Sequence, residues 1–95
     1  MSITEIKIRR TFNEGKLKAL VSVTLNDCIA IHELKIILGN DRLFVAMPSR
    51  TDDKGVLRDI IHPITPSARA AFENAVINAY EKYTSIREEA EFISA

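Results

Sequence analysis

Apolar and polar positions alternate with a period of two through much of the first 25 residues, the signature of half-buried strands. Ile6 and Ile8 point one way, and Glu5, Lys7 and Arg9 the other. Leu17, Ala19, Val21, Val23 and Leu25 then share a face opposite Lys18, Ser22 and Thr24. Two further stretches are apolar at both parities. Between Cys28 and Leu38, Cys28, Ala30, Leu34, Ile36 and Leu38 occupy one side, with Ile29, Ile31 and Ile37 on the other. Leu43 to Met47 is apolar throughout. Strands of that kind are normally covered on both faces. Four turn signals divide the first 65 residues into five strands: Asn13 to Lys16, Asn26-Asp27, Gly39 to Asp41, and Asp52 to Gly55. Each places Gly, Asn or Asp where the backbone must reverse, and their spacing predicts antiparallel hairpins.

After His62-Pro63 the period changes. Thr65 is a good N-cap, and Pro66 falls at the first helical position, where its missing N–H costs nothing. Ala68, Phe72, Ala75, Val76, Ala79 and Tyr83 recur at spacings of three and four, with Arg69, Glu73, Asn74, Asn78 and Lys82 on the wet side. Ile86, Ala90 and Ile93 keep a weak stripe beyond it. The expected fold is α+β: a five-stranded antiparallel meander sheet with a C-terminal amphipathic helix. One domain spans residues 1–83, and residues 84–95 form a tail or helix extension. One helix covers one face of a sheet, so strands greasy on both sides predict a homodimer that buries the second face, an exposed edge, or both.

Ninety-five residues, 46% hydrophobic and 27% charged, fit one modest core. No apolar run approaches the roughly 20 residues of a membrane span, and MSITEIKIRR lacks the layout of a signal peptide. One cysteine allows no internal disulfide, so a cytoplasmic setting is expected. The formal net charge is zero, but it is segregated: residues 1–58 carry a balance of +3 and residues 59–95 a balance of −3. A basic half facing an anionic partner is one reading, and an uneven solvated surface is the other.

Candidate chemistry is sparse. Ser49, Asp59 and His62 lie close in sequence, but no G-x-S-x-G elbow accompanies them, and no enzyme is expected. His62 before Pro63 reads as a strand-end residue bonded to backbone. His32, His62 and Cys28 lack metal-ligand spacing, which leaves Cys28 as a buried thiol. Asp52-Asp53 lacks the register of a calcium loop, and no Gly-rich phosphate loop exists; no cofactor is expected. What remains is cationic. Lys7 and Arg9 share a strand face, Arg10 follows, and Lys16 and Lys18 lie just past the next turn. Arg50, Lys54 and Arg58 punctuate the exposed hairpin between Met47-Pro48 and His62-Pro63. Arg69 sits in the first turn of the helix, whose N-terminus carries free N–H groups. Such donors suit phosphates, and guanidinium groups also read guanine edges. Asp52, Asp53 and Asp59 interleave with them, and an acidic residue there either orients an arginine or repels a phosphate.

MSITEIKIRR, KLKALVSVTLNDCIAIHELKIILGN, LFVAMPSR and LRDIIHPI resemble the SpoVG family, the septation regulators of bacteria, over roughly residues 3–80. The L-F-V-A-M-P-S-[KR] string, followed by a turn, R-D-I and H-P-I, is not a generic pattern. The resemblance implies a small cytoplasmic protein with a curled antiparallel sheet and a C-terminal helix, usually dimeric. It also implies site-specific binding of DNA or RNA in regulating sporulation and septation. Carried over by position, the matching cations are Arg9, Arg10, Arg50 and Arg58. Family sequences often carry a second basic residue after the position of Arg50; here it is Thr51, and Asp52-Asp53-Lys54-Gly55 replaces the more usual T-P-D-G turn. The expected nucleic-acid-binding set is therefore Arg9, Arg10, Arg50, Lys54, Arg58 and Arg69. A protein-interaction adaptor using the same hairpin or sheet edge is the alternative, and a small-ligand sensor in the sheet–helix cleft the weaker one.

Overall fold

The structure is a computed structural model that describes residues 2–94, with side chains through Ile86. Six strands and one helix follow in order: β1 (Ile3–Thr11), β2 (Leu17–Leu25), β3 (Ile29–Leu38), β4 (Leu43–Ala46), β5 (Ser49–Thr51), β6 (Leu57–Asp59) and α1 (Pro66–Ser94). Strands β1 to β4 form an antiparallel sheet in chain order, and β5 and β6 a separate two-stranded sheet. The α+β class holds; the five-stranded meander is corrected to four strands plus a hairpin. Pro48 is the physical reason. It has no N–H to give the ladder, and it restricts Met47 before it, so pairing with β3 stops at Ala46. The chain leaves the sheet there and pairs only with itself: Ser49 opposes Asp59, Arg50 opposes Arg58, and Thr51 opposes Leu57.

The turns follow the sequence closely. Asn26 and Asp27 both adopt positive φ, 51° and 56°, and Cys28 N–H donates to the Leu25 carbonyl at 3.0 Å. That is a type I′ hairpin turn, which Asn and Asp enter more readily than other side chains. Gly55, at φ 81°, closes the β5–β6 turn, where its N–H donates to the Asp52 carbonyl at 3.0 Å. Cys28, expected as a buried thiol, is exposed because it directly follows the first of these turns.

The apolar reading of β3 on both faces is corrected as well. Val21 pairs with Leu34, and Val23 with Ile31, so β3 holds one extra residue between them. Glu33 takes φ 64° at this bulge. An inserted residue flips strand parity: Ile31 faces the core before it, and Leu34 and Ile36 after it. Apolar residues at both parities thus serve largely one buried face. The core is that face: Ala19, Val21, Val23 and Leu25 on β2; Ile31, Leu34 and Ile36 on β3; and Val45 on β4, with Met47 just beyond it.

Phe72 and Val76 of α1 close the core, with Ile77 and Tyr80 packed beside them. Thr65 caps the helix, its Oγ1 accepting the Ala68 N–H at 3.1 Å. The buried stripe is rotated from the expected one. Tyr83 is exposed, and Ile77 and Tyr80 take its place. Glu73, expected on the wet side, is turned inward to meet Arg42 at 3.3 Å, which ties the helix to the β3–β4 turn. Ile86 is exposed, while Ala90 and Ile93 lie outside the residues whose side chains are described. No helix among the described residues is long and apolar enough to cross a membrane.

Candidate functional site

The β5–β6 hairpin stands outside the core because the core ends at Met47. Its six ladder residues are exposed except Ser49, which is half-buried. Arg50 and Arg58 are direct cross-strand partners, so both side chains rise from one face of the hairpin about 5 Å apart at Cβ. Two like charges so placed repel, and Asp52 relieves part of that: its Oδ2 accepts from Arg58 Nε at 2.7 Å. Its Oδ1 accepts the backbone N–H groups of Lys54 and Val56, each at 2.9 Å. Asp52 therefore clamps the turn and fixes one arginine. Of the two roles that sequence left open for an acidic residue here, its geometry is that of orientation.

The Arg58 guanidinium, followed by the Val56 N–H, holds the Asp52 carboxyl below the usual carboxylate range. A depressed folded-state value means that the clamp is at full strength above the ordinary aspartate range and is lost as pH falls through the lowered value. Hydrogen exchange at the Val56 amide, corrected for intrinsic rate, should therefore lose protection only in that acid window. In Asp52→Asn the protection should not vary with pH. Protection that stays constant with pH in the parent protein would remove Asp52 from this role.

The remaining expected cations divide between two places. Arg58 and Arg69 line one open groove together with Leu57, Asp59 and His62, so the hairpin meets the start of α1 there. His62 is steadied by a hydrogen bond from Nδ1 to the Pro63 carbonyl at 3.0 Å. Lys54 sits at the hairpin tip, exposed. Arg50, Lys54, Arg58 and Arg69 thus belong to the hairpin and the adjoining helix start. Arg9 and Arg10 lie on the edge strand β1, outside the hairpin–helix groove. Arg10 packs over the Phe12 ring, 4.9 Å from guanidinium carbon to centroid. Arg9 turns across the helix-free face of the sheet, its Nε donating to Ser22 Oγ at 3.1 Å. There it lines a cavity with His32, Glu33, Lys35, Pro48 and Ser49. His32 and Lys35 were not singled out by sequence as neighbours of Arg9. The bulge that brings His32 beside Arg9 left as its only trace the broken parity of β3.

A small α+β domain whose sheet carries a detached, cation-studded hairpin defines the class. The chain belongs to the SpoVG family, whose model matches residues 1–82. It is 51% identical over 92 residues to a protein of Desulforudis audaxviator named "Putative septation protein SpoVG", covering 97% of this chain and 100% of that protein. A protein of the same name from Alkaliphilus oremlandii is 48% identical over 90 residues, covering 95% of this chain and 97% of that one. A third, from Caldicellulosiruptor bescii, is 46% identical over 88 residues, covering 93% of this chain and all of its own length.

Proposed function

We propose that this chain is a non-catalytic bacterial regulator of septation or sporulation that acts in the cytoplasm by binding DNA or RNA through its hairpin and the start of α1. The observation that carries this reading is the grouping of Arg50, Lys54, Arg58 and Arg69 on adjoining exposed elements, with Arg58 alone of the four in an ion pair among the described residues. Phosphates need several cations within one backbone's reach, and an arginine held in place beside other exposed cations offers both register and charge. The names of its relatives support the septation half of the reading. The test is a binding series with duplex DNA, single-stranded DNA and RNA over a range of salt. Binding that falls steeply with salt supports the reading, since each phosphate contact releases counterions. Retention that ignores salt, or no retention, overturns it.

A second copy of the chain is the partner proposed for the apolar surface. Leu57 is 68% exposed, Ile60 67% and Ile64 87%, all within one short segment beside the hairpin. Leaving these side chains in water forfeits a burial gain of about 1.5–3 kcal/mol each. Pairing two copies would also double the cationic hairpins on one nucleic acid, where linked contacts act at high effective concentration. Sedimentation should give twice the chain mass at micromolar concentration, and Leu57→Asp/Ile60→Asp should give the single mass with the fold intact. A monomeric parent protein would reject the dimer. It would also favour the second reading of the same patch, a docking surface for another regulator.

A further inference from the structure

Ser22 is 7% exposed, the only polar residue in the buried set among the described residues, yet it lies on the face of the sheet that α1 leaves open. Two strand irregularities converge on it. On one side, β1 inserts Arg9 between the pairs Ile8–Val21 and Arg10–Leu20. On the other, β3 inserts a residue between its partners of Val21 and Val23, opposite Ser22 itself. The second insertion holds Glu33 at φ 64°, a left-handed conformation that costs a non-glycine residue roughly 1–2 kcal/mol. Bulges of this kind re-aim side chains, and strain of this kind collects at working sites.

What they re-aim is a hydrogen-bonded chain. Arg9 Nε–H donates to Ser22 Oγ at 3.1 Å, and Ser22 Oγ lies 3.0 Å from His32 Nδ1. In the tautomer whose Nδ1 accepts the serine proton, which Arg9 leaves unused, the imidazole carries its own proton on Nε2. Among the described residues Arg9 thus keeps both terminal NH2 groups without a partner, and in that tautomer His32 keeps its Nε2–H. Lys35, in no ion pair among the described residues, lines the same cavity of about 460 Å³, together with Glu33 and Ser49.

We propose that this Ser22-centred cavity binds a phosphate group through Arg9, His32 and Lys35. A tetrahedral oxyanion matches a guanidinium edge fixed through Nε, an imidazole N–H and an ammonium arranged around one hollow. Glu33 opposes any second negative charge at the rim and so favours a phosphodiester over a free dianion. The phosphodiester source rests on the nucleic-acid reading above; the site itself does not.

The chain holds two histidines, and His62 in the hairpin–helix groove serves as an internal reference. Imidazole NMR signals are followed while inorganic phosphate, then a short oligothymidylate, is added at constant ionic strength, with chloride as control. The His32 signal should move saturably with both probes and not with chloride. Lys35→Gln and Ser22→Ala should each weaken that response about threefold or more while the amide spectrum keeps its dispersion. An oligonucleotide that binds, by fluorescence anisotropy, without either probe moving His32 rejects the site and leaves the nucleic-acid reading standing. A His32 response to inorganic phosphate with no oligonucleotide binding keeps the site, assigns it to free phosphate and removes that reading.

Discussion

Replacing Arg50 and Arg58 together with alanine is expected to weaken nucleic-acid binding about tenfold or more at moderate salt, with the melting temperature within a few degrees of the parent. The first half follows from position. The two arginines oppose each other on one face of a two-residue-wide ribbon, so any phosphate that meets one is within reach of the other. Removing two phosphate contacts should also flatten the slope of log affinity against log salt by about 1.8 for duplex DNA, or about 1.4 for a single strand. The second half follows from the separation of β5 and β6 from the core, which ends at Met47. Alanine at position 58 loses only an exposed ion pair to Asp52, a kind of contact that contributes little in water. Unchanged affinity and slope would move the interface elsewhere. A melting temperature lowered by ten degrees or so would instead make the hairpin part of the cooperative fold.

The largest stability effect is expected at Phe72→Ala, a loss of about 3–5 kcal/mol read by urea denaturation. Phe72 is 4% exposed and, with Val76, forms the helix's share of the buried core. Among the described side chains of α1 the others are half-buried or exposed, Tyr83 and Ile86 among the exposed. A truncated ring leaves a cavity between helix and sheet that the stiff β2 and β3 strands cannot collapse to fill. A domain this small has a total stability of roughly 5–15 kcal/mol, so the variant should stand near its unfolding threshold at 37 °C. A loss below about 1 kcal/mol would show that the sheet draws its stability from some surface other than the helix.

Much of the fold is legible in the chain because its local rules act locally. Asn26-Asp27 enters a type I′ turn because both side chains tolerate positive φ, and Thr65 starts a helix by accepting the Ala68 N–H. The alternation of β2 points to the same buried face that the structure shows. The miscounted sheet has one cause. A strand followed by a turn and another strand looks like a continued meander, and whether Pro48 ends pairing or merely bends it depends on where the neighbouring strand runs. The mistaken two-sided burial of β3 has another. Bulges have no composition of their own, so a parity switch at Glu33 and a strand buried on both faces produce the same letters.

The candidate site divides along the same line. The basic set was readable as residue types, and Arg58 meets two of its members in space, Arg50 across the ladder and Arg69 across the groove. Arg9 was readable as a cation, but its partners Ser22 and His32 come from strands 13 and 23 residues away and meet it only through two inserted residues.

The amino-acid sequence by itself determined the family, the α+β class, the turns, the helix start and the identity of the cations, because these depend on steric rules and neighbouring residues. The tertiary structure alone decided which strands pair, which face β3 buries, which arginine Asp52 holds, and that Arg9 turns across the sheet toward His32. Those outcomes depend on register, and register is set by pairing between distant strands, where one inserted residue moves every later side chain to the opposite face.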